Sequence, residues 1–253
     1  MERSDDLATV DPKVLVLVPT FNEADGIEML LDRVLAADPA LHVLVIDDGS
    51  PDGTGEIAGK RAEIDNRVEV LHRASKQGLG KAYVAGFRVG LERGFDRLIE
   101  MDADLSHDPD DLPRLIAASA EADLVIGSRY TKGGGVEGWS LPRHLLSQCA
   151  NLYSMILLGF PIRDSTSGFR CYRREVLEVL DLEAVSSEGY SFQIEMAYSS
   201  WRRGFRVTEV PIVFRERSSG KSKMSRDIVI EGIVWVTKAG LINLPSRLLR
   251  RRR

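Results

Sequence analysis

The sequence predicts an α/β protein in which a mostly parallel central sheet carries helices on both faces. Short apolar runs rich in β-branched residues, such as residues 14–18, alternate with segments whose apolar residues recur at helical spacing, such as residues 27–37. This alternation is typical of parallel strands that are joined by helices. The unusual polar residues also follow strands directly, which is where ligands bind at the carboxyl ends of parallel strands.

The individual elements follow from the same two periodicities. The first strand, at residues 14–18, contains only Val and Leu and ends at Pro19, as expected for a strand that is buried on both faces. Further strands are predicted at residues 42–46, 68–71, 97–101, 124–127 and 207–214. Helices are predicted at residues 27–37, 55–63, 80–94 and 141–159, and a glycine-rich segment at 131–138.

Length and charge limit the organisation and the partners. With 253 residues, of which 43% are hydrophobic and 28% charged, the chain can bury a sizeable core. We predict a main domain over residues 1–225 and an amphipathic, basic segment over residues 226–253. The net charge is -4, yet arginines end the chain, and such an end suits an anionic membrane surface. Nucleic acid is not a predicted partner, because no zinc-finger or RNA-binding signature is present.

Cysteine usage and hydropathy bear on the compartment. Cys149 and Cys171 lack metal-binding spacing, so we expect two core residues in a reduced compartment. No apolar signal segment follows the charged start of the chain. Residues 228–244 are interrupted by Glu231 and Lys238 and are shorter than the ~20 apolar residues that a spanning helix needs. We therefore expect a protein that is soluble or lies on a membrane surface.

Two carboxylates follow the predicted strand at residues 97–101. Asp102 and Asp104 are separated by one residue, and carboxylates at a strand end can hold a hard divalent cation while leaving positions open for phosphate oxygens. The alternative is an ordinary acidic turn. The recurrence of acidic residues after successive strands, with Glu23 after the first and Asp48 after the second, favours a ligand site. Helix capping and an Asx-type turn are the alternatives at those two positions.

Cations are concentrated in the second half of the chain. Arg129 follows a buried strand, Arg143 lies one helical turn before Ser147, and Arg170 follows a polar segment. A guanidinium group matches phosphate oxygens and a hydroxyl adds a donor, so these residues could bind a phosphate together. Arg217, Lys221 and Lys223 form another cationic group in a polar loop. The pattern indicates an anionic substrate, and solvent-exposed surface charge is the alternative for each residue alone.

The chain is similar to family 2 glycosyltransferases, and among them it resembles the dolichol- or polyprenol-phosphate mannosyl synthases of the short type without membrane-spanning helices. The motifs that carry the resemblance stand in the family's order at residues 19–23 (PTFNE), 47–54 (DDGSPDGT), 76–82 (KQGLGKA), 101–107 (MDADLSH), 127–130 (GSRY), 164–170 (DSTSGFR) and 214–223 (FRERSSGKSK). The resemblance covers residues 14–223. It implies a Rossmann-like fold of the GT-A type, followed by C-terminal amphipathic helices at the membrane interface.

The resemblance also implies roles for individual residues. Asp102 and Asp104 would hold Mg2+ or Mn2+ on the donor diphosphate, while Ser106 stands where relatives often have Gln. The acceptor phosphate would be bound by Arg129, Arg143 and Ser147. The donor nucleotide would be bound by Pro19, Glu23, Asp48, Lys81, Asp102, Arg217 and Lys223. The residues implied to act in catalysis are Asp104, Arg129, Arg143 and Lys223.

The activity implied by the resemblance is transfer of mannose from GDP-mannose to a polyprenyl phosphate with inversion, at the cytoplasmic side of a membrane. The acceptor phosphate is already anionic near neutral pH, so the absence of a Ser-His-Asp set is expected. A different donor such as UDP-glucose is the nearest alternative. A non-catalytic protein that binds nucleotide sugars at a membrane is a more remote one. The sequence does not indicate an oligomeric state.

Overall fold

A computed structural model describes residues 11–185, 187, 189–216 and 226–250, with the side chains of residues 226–229 and 243–250 left out of the description. Seven strands form one sheet in the order β3-β2-β1-β4-β7-β5-β8, and β6 and β9 form a second, two-stranded sheet. The strands are β1 Val14–Thr20, β2 Leu41–Asp47, β3 Val68–His72, β4 Arg97–Glu100, β5 Leu124–Ser128, β6 Gly135–Glu137, β7 Arg170–Arg173, β8 Val207–Pro211 and β9 Val213–Arg215. The predicted α/β architecture, with a mostly parallel sheet, is confirmed.

Eight α-helices are described. They are α1 Ile27–Ala37, α2 Thr54–Ile64, α3 Leu79–Glu92, α4 Leu112–Ala118, α5 Leu141–Leu158, α6 Arg174–Val179, α7 Gly189–Arg202 and α8 Arg226–Arg250. The helix predicted at residues 27–37 has the predicted bounds, and the helices predicted around residues 55–63, 80–94 and 141–159 differ from α2, α3 and α5 by one or two residues. Helical spacing of apolar residues therefore located the helices on both sides of the sheet.

Each face of the central strands has its own hydrophobic core. Alternate side chains of β1 enter opposite clusters, with Leu15 and Leu17 on the α3 side and Val16 and Val18 on the α1 side. This explains the unbroken apolar run in β1, since a strand covered on both faces has no polar side. On the α3 side the helix lies very close to the sheet, because a Cβ atom at Gly86 would stand 2.6 Å from the Ile46 side chain.

Two parts of the sheet differ from the prediction. The short strand β7, which was not predicted, is inserted antiparallel between β4 and β5. The single strand predicted at residues 207–214 is instead two strands, because the chain leaves the main sheet at Ile212 and β9 pairs with β6. The glycine-rich segment at residues 131–138 thus includes a strand. Pairing across the fold, rather than local pattern, determines these elements.

The C-terminal helix α8 packs on the main domain. Val236 is buried at its centre, the Tyr153 hydroxyl of α5 lies 2.7 Å from Thr237 Oγ1, and Ser191 Oγ of α7 donates to Glu231 at 2.6 Å. Among the residues that the structure describes, no helix combines the length and apolarity that a membrane crossing requires. The division into residues 1–225 and 226–253 stays a prediction.

Candidate active site

The loops that follow β1 and β2 are joined by side-chain to backbone hydrogen bonds. The Glu23 amide donates to Thr54 Oγ1 at 3.0 Å, and the Asn22 amide donates to Ser50 Oγ at 3.1 Å. Asn22 adopts a left-handed conformation with φ of 59°, which asparagine tolerates better than most residues. These bonds bring the predicted Glu23 and Asp48 to one edge of the sheet, so the turn residues contribute to the architecture of the site.

Asp48 is held at that edge by an arginine. The Arg73 guanidinium donates to Asp48 Oδ1 at 2.6 Å. Burial raises the pKa of the Asp48 carboxyl, and the Arg73 charge opposes part of that rise. Pro19 lies in β1, where it pairs with Ile46 of β2, and is half-buried, whereas Lys81 is exposed in the first turn of α3. Four of the predicted nucleotide-binding residues, Pro19, Glu23, Asp48 and Lys81, therefore lie in β1, in the loops after β1 and β2, and at the start of α3.

Asp102 and Asp104 lie in the tight turn after β4. The Ser106 amide donates to Asp104 Oδ1 at 3.1 Å, and the Asp102 amide donates to His107 Nδ1 at 3.2 Å. Leu105, which lies between Asp104 and Ser106, has a left-handed φ of 59°. Burial lowers the pKa of His107 while the two aspartates oppose this effect, so a neutral ring with Nδ1 as an acceptor is consistent with its bond to Asp102. The turn thus fixes both carboxylates relative to the strand.

The donor set of this turn fits a small, hard divalent cation. Within the described part of the chain, no group of three or more His, Cys, Asp and Glu side chains could hold a metal. Two carboxylates with substrate oxygens and water completing the shell are what Mg2+ commonly uses. The Ser106 hydroxyl is buried and has no hydrogen-bond partner among the residues that the structure describes, which makes it a further oxygen beside the pair.

Arg129 is the cation most firmly fixed in the site. Its Nε and Nη2 donate to Asp164 at 2.8 and 2.6 Å, and Nη2 also donates to Thr166 at 2.8 Å. Burial alone would raise the pKa of the Asp164 carboxyl, but Arg129 and its hydrogen bonds hold that pKa below its ordinary value. Because Asp164 compensates most of its charge, Arg129 is a rigid, paired cation rather than a solvated one.

Arg143 is positioned by an aromatic ring and a carboxylate. Its guanidinium lies 4.3 Å from the centre of the Trp139 ring, and its Nη1 donates to Glu216 at 2.7 Å. Ser147, one turn further along α5, accepts a hydrogen bond of 2.7 Å from the Tyr130 hydroxyl. All three predicted acceptor residues therefore occur in one place, each with a partner that the sequence did not reveal.

These three residues line a cavity of 360 Å³ between α5, α7 and α8, called here the α5–α8 cavity. Its remaining lining is mainly apolar and includes Leu146, Ile194, Gly232, Ile233 and Val236. Cys149 also lines it and is exposed, so the expectation that both cysteines are core residues is wrong for Cys149 and confirmed for the buried Cys171. Cys149 lies on the side of α5 that faces the cavity rather than the packed interior. The cavity combines a cationic part with hydrocarbon walls.

An aromatic layer connects the carboxylate turn with the α5–α8 cavity. The Phe214 ring of β9 stands edge-on to His107 at 5.4 Å and to Trp139 at 5.4 Å. Trp139 in turn contacts both guanidinium groups, since Arg129 lies 5.3 Å from its centre. The charges of Asp102, Asp104, Arg129 and Asp164 all act on His107. The candidate metal turn and the candidate phosphate residues are thus neighbours in space.

Several sequence-based assignments change once the contacts are known. Arg170 is fully buried and donates to the carbonyl oxygens of Ser165, Ser167 and Gln193, so it is a structural cation and not a phosphate ligand. Trp139, Asp164 and Glu216 were missed as partners of the arginines. Asp164 stands in a motif segment, but its pairing with Arg129 spans 35 residues and has no local signal. Arg217, Lys221 and Lys223 lie outside the described residues.

The open α/β sheet, the paired carboxylates at the end of the central strand β4 and the loops that converge on one edge are those expected of a glycosyltransferase of the GT-A class. Residues 15–181 match glycosyl transferase family 2. The chain belongs to that family, which confirms the family resemblance.

Two relatives extend the match over nearly the whole chain. An undecaprenyl-phosphate mannosyltransferase of Micrococcus luteus is 51% identical over 90% of this chain and 94% of its own length. A polyprenol monophosphomannose synthase of Mycolicibacterium smegmatis is 52% identical over 94% of this chain and 91% of its own length. One similar solved structure is a mannosyltransferase from Pyrobaculum calidifontis in complex with GDP-Man and Mn2+. It is 18% identical to this chain, and the match covers 95% of this chain and 76% of that protein with a TM-score of 0.59. At that identity it is evidence for the fold alone.

Proposed function

We propose that this protein transfers mannose from GDP-mannose to a polyprenyl phosphate, giving β-mannosyl phosphopolyprenol and GDP. The observation that carries the proposal is the position of Arg143 and Ser147 at the α5–α8 cavity, which is lined mainly by apolar side chains and is connected to the turn of Asp102 and Asp104 by the aromatic layer. A phosphate on a hydrocarbon tail matches that combination of surfaces. The names of the two relatives support the same donor sugar and acceptor class.

The donor would occupy the loops after β1, β2 and β4. Glu23 and Asp48, the latter held by Arg73, would face the nucleoside, and Pro19 and Lys81 would border the same region. Asp102 and Asp104 would hold Mg2+ or Mn2+, which neutralises charge on the diphosphate when bound. Arg217 and Lys223, outside the described residues, would add positive charge for the leaving group.

The reaction follows from charge and alignment. An oxygen of the acceptor phosphate attacks the anomeric carbon on the side opposite the diphosphate, and the bond from that carbon to the diphosphate oxygen breaks. GDP leaves with the bonding electrons, so a single displacement converts the α linkage of the donor into a β linkage. No strong base is required, because the phosphate monoester is already anionic. Arg143 and Ser147 orient the attacking phosphate oxygen, while Arg129, fixed by Asp164, forms a rigid part of the cavity lining.

A membrane surface is the proposed place of reaction, on the cytoplasmic side. Large apolar side chains are exposed on two of the helices that border the cavity, including Leu145 and Ile156 of α5 and Leu241 and Ile242 of α8. An apolar face of this kind can enter the boundary between headgroups and acyl chains. The arginines at positions 247 and 250–253 would each add about 1 kcal/mol on an anionic leaflet.

A donor panel tests the proposal. Radiolabelled GDP-mannose, GDP-glucose, UDP-glucose and UDP-mannose are each incubated with a short polyprenyl phosphate, with and without Mg2+ or Mn2+. We expect transfer from GDP-mannose that requires the divalent cation, with a product whose mannose is β-linked. Preferential transfer from UDP-glucose would replace the donor assignment. Donor binding without transfer to any acceptor would favour a non-catalytic binding protein.

A further inference from the structure

We propose that the α5–α8 cavity binds the isoprene units next to the acceptor phosphate, and that Gly232 of α8 keeps it open for them. This inference rests on the proposed function, because it concerns the tail of the same acceptor. It assigns a substrate-binding role to the C-terminal helix α8, which the sequence had assigned to membrane association.

The cavity fits the beginning of a prenyl chain and no more. Its volume of 360 Å³ lies near the lower end of the range of about 300–1,000 Å³ that is usual for small-molecule pockets. Ile194 and Val236 give it branched, apolar walls, and Arg143 with Ser147 stands at its polar part. A long polyprenyl tail would fill it with the first units and continue into the bilayer. The cavity would therefore select the structure of the proximal units and not the total length.

One wall of the cavity is provided by α8, and this wall is fixed. The buried Val236, the contact between Tyr153 and Thr237, and the bond from Ser191 to Glu231 hold α8 against α5 and α7. Because α8 contacts two neighbouring helices, its position is fixed, and so is the surface that it contributes to the cavity. The cavity is thus part of the folded protein and does not depend on a membrane to form it.

Gly232 is the position at which the cavity can be closed without disturbing the fold. It lines the cavity, and a Cβ atom built there meets nothing within 4 Å among the described residues, apart from its chain neighbours and the backbone of its own helix. The interior of a helix favours leucine over glycine, so Gly232→Leu should not weaken α8. Gly59 in α2 is a matched control, because it is also a helical glycine whose Cβ would meet no described atom of another segment within 4 Å, and it lies outside the cavity lining.

The first experiment compares the wild type, Gly232→Leu and Gly59→Leu with prenyl monophosphates of one, two and three isoprene units. Such short acceptors can be assayed without vesicles, so membrane binding does not enter the comparison. In the wild type and Gly59→Leu we expect KM to fall with each added unit, because each unit buries more apolar surface. In Gly232→Leu this dependence should flatten, with KM for the three-unit acceptor raised at least about tenfold.

A second measurement uses Cys149, which is exposed and lines the cavity, while Cys171 is buried. The rate at which a maleimide labels Cys149 is followed by intact mass, with and without the three-unit phosphate. Protection should be strong in the wild type and Gly59→Leu and weak in Gly232→Leu. Equal chain-length dependence and equal protection in the two variants would contradict the binding of isoprene units in the cavity. That result would leave the proposed transfer reaction untouched. Transfer to none of the three phosphates, with normal GDP-mannose binding, would contradict the proposed function itself.

Discussion

Arg143 donates from Nη1 to the carboxylate of Glu216 at 2.7 Å while its guanidinium stacks on Trp139. The negatively charged Glu216 carboxylate therefore occupies one of the hydrogen-bond donors of Arg143, the residue that is proposed to bind the acceptor phosphate. An arriving phosphate must compete with this carboxylate. The pair links the end of β9 to the start of α5, so it also holds the small second sheet beside the cavity.

Neutralising Glu216 should strengthen acceptor binding. We expect Glu216→Gln to lower KM for the lipid phosphate by up to about fivefold, the equivalent of about 1 kcal/mol for a partly exposed ion pair, with kcat unchanged. Steady-state kinetics at saturating GDP-mannose measures this. The control is Glu137→Gln, which removes one of the two carboxylate partners of Arg215 in the same two-stranded sheet and should leave KM as it is. A higher KM for Glu216→Gln would mean that Glu216 orients Arg143 instead of competing for it.

Removing the charge of Asp104 should abolish transfer. Asp104→Asn keeps an oxygen that can accept from the Ser106 amide, so the turn after β4 is preserved while a metal-binding charge is lost. We expect kcat to fall at least about a hundredfold and Asp104→Ala to show no turnover. The assay is mannosyl transfer at several Mn2+ concentrations, with Mn2+ binding in the presence of GDP measured separately. Asp110→Asn, an exposed neighbour, is the control, and near-normal turnover of Asp104→Asn would remove Asp104 from the metal site.

The buried pair of Arg129 and Asp164 should make stability depend on pH. Because the folded-state pKa of Asp164 is depressed below its ordinary 3.8, the stabilisation is present above that pH and is lost as pH falls through the lower, folded-state value. Asp164→Asn should lose about 3–5 kcal/mol at neutral pH and lack this acid component. Urea denaturation over a pH series tests both expectations. Asp32→Asn, which removes an exposed partner of Arg61, should change little. Parallel pH curves for wild type and Asp164→Asn would contradict the assignment.

The exposed apolar side chains of α5 and α8 should mediate vesicle binding. Ile156 and Leu241 are 62% and 66% exposed and do not line the α5–α8 cavity. We expect the double variant Ile156→Glu/Leu241→Glu to sediment at least about tenfold less with anionic vesicles, because charges replace apolar area at the interface. Ile64→Glu is the control, since Ile64 is 79% exposed on the distant helix α2. Unchanged sedimentation of the double variant would place the membrane contact elsewhere.

The local pattern of the sequence determined most elements and the chemical character of the site. Residues 14–18 had to form a buried strand because every side chain is apolar, and α1 follows from apolar residues at helical spacing. Glu23, Asp48, Asp102 and Asp104 could be placed at strand ends because parallel strands present their carboxyl ends at one edge. The polar turns after β1 and β2 were readable both as turns and as ligand loops, and the structure shows that they are turns whose bonds support the site.

Only the tertiary structure decided the partners. The pairs of Arg129 with Asp164 and Arg143 with Glu216 span 35 and 73 residues, and no local pattern encodes contacts over such distances. They depend on β7 entering the sheet antiparallel and on β9 leaving it to pair with β6. The cavity likewise exists only because α8 packs across α5 and α7. Composition and periodicity specify which side chains a chain offers, whereas the crossing of strands and helices decides which of them meet.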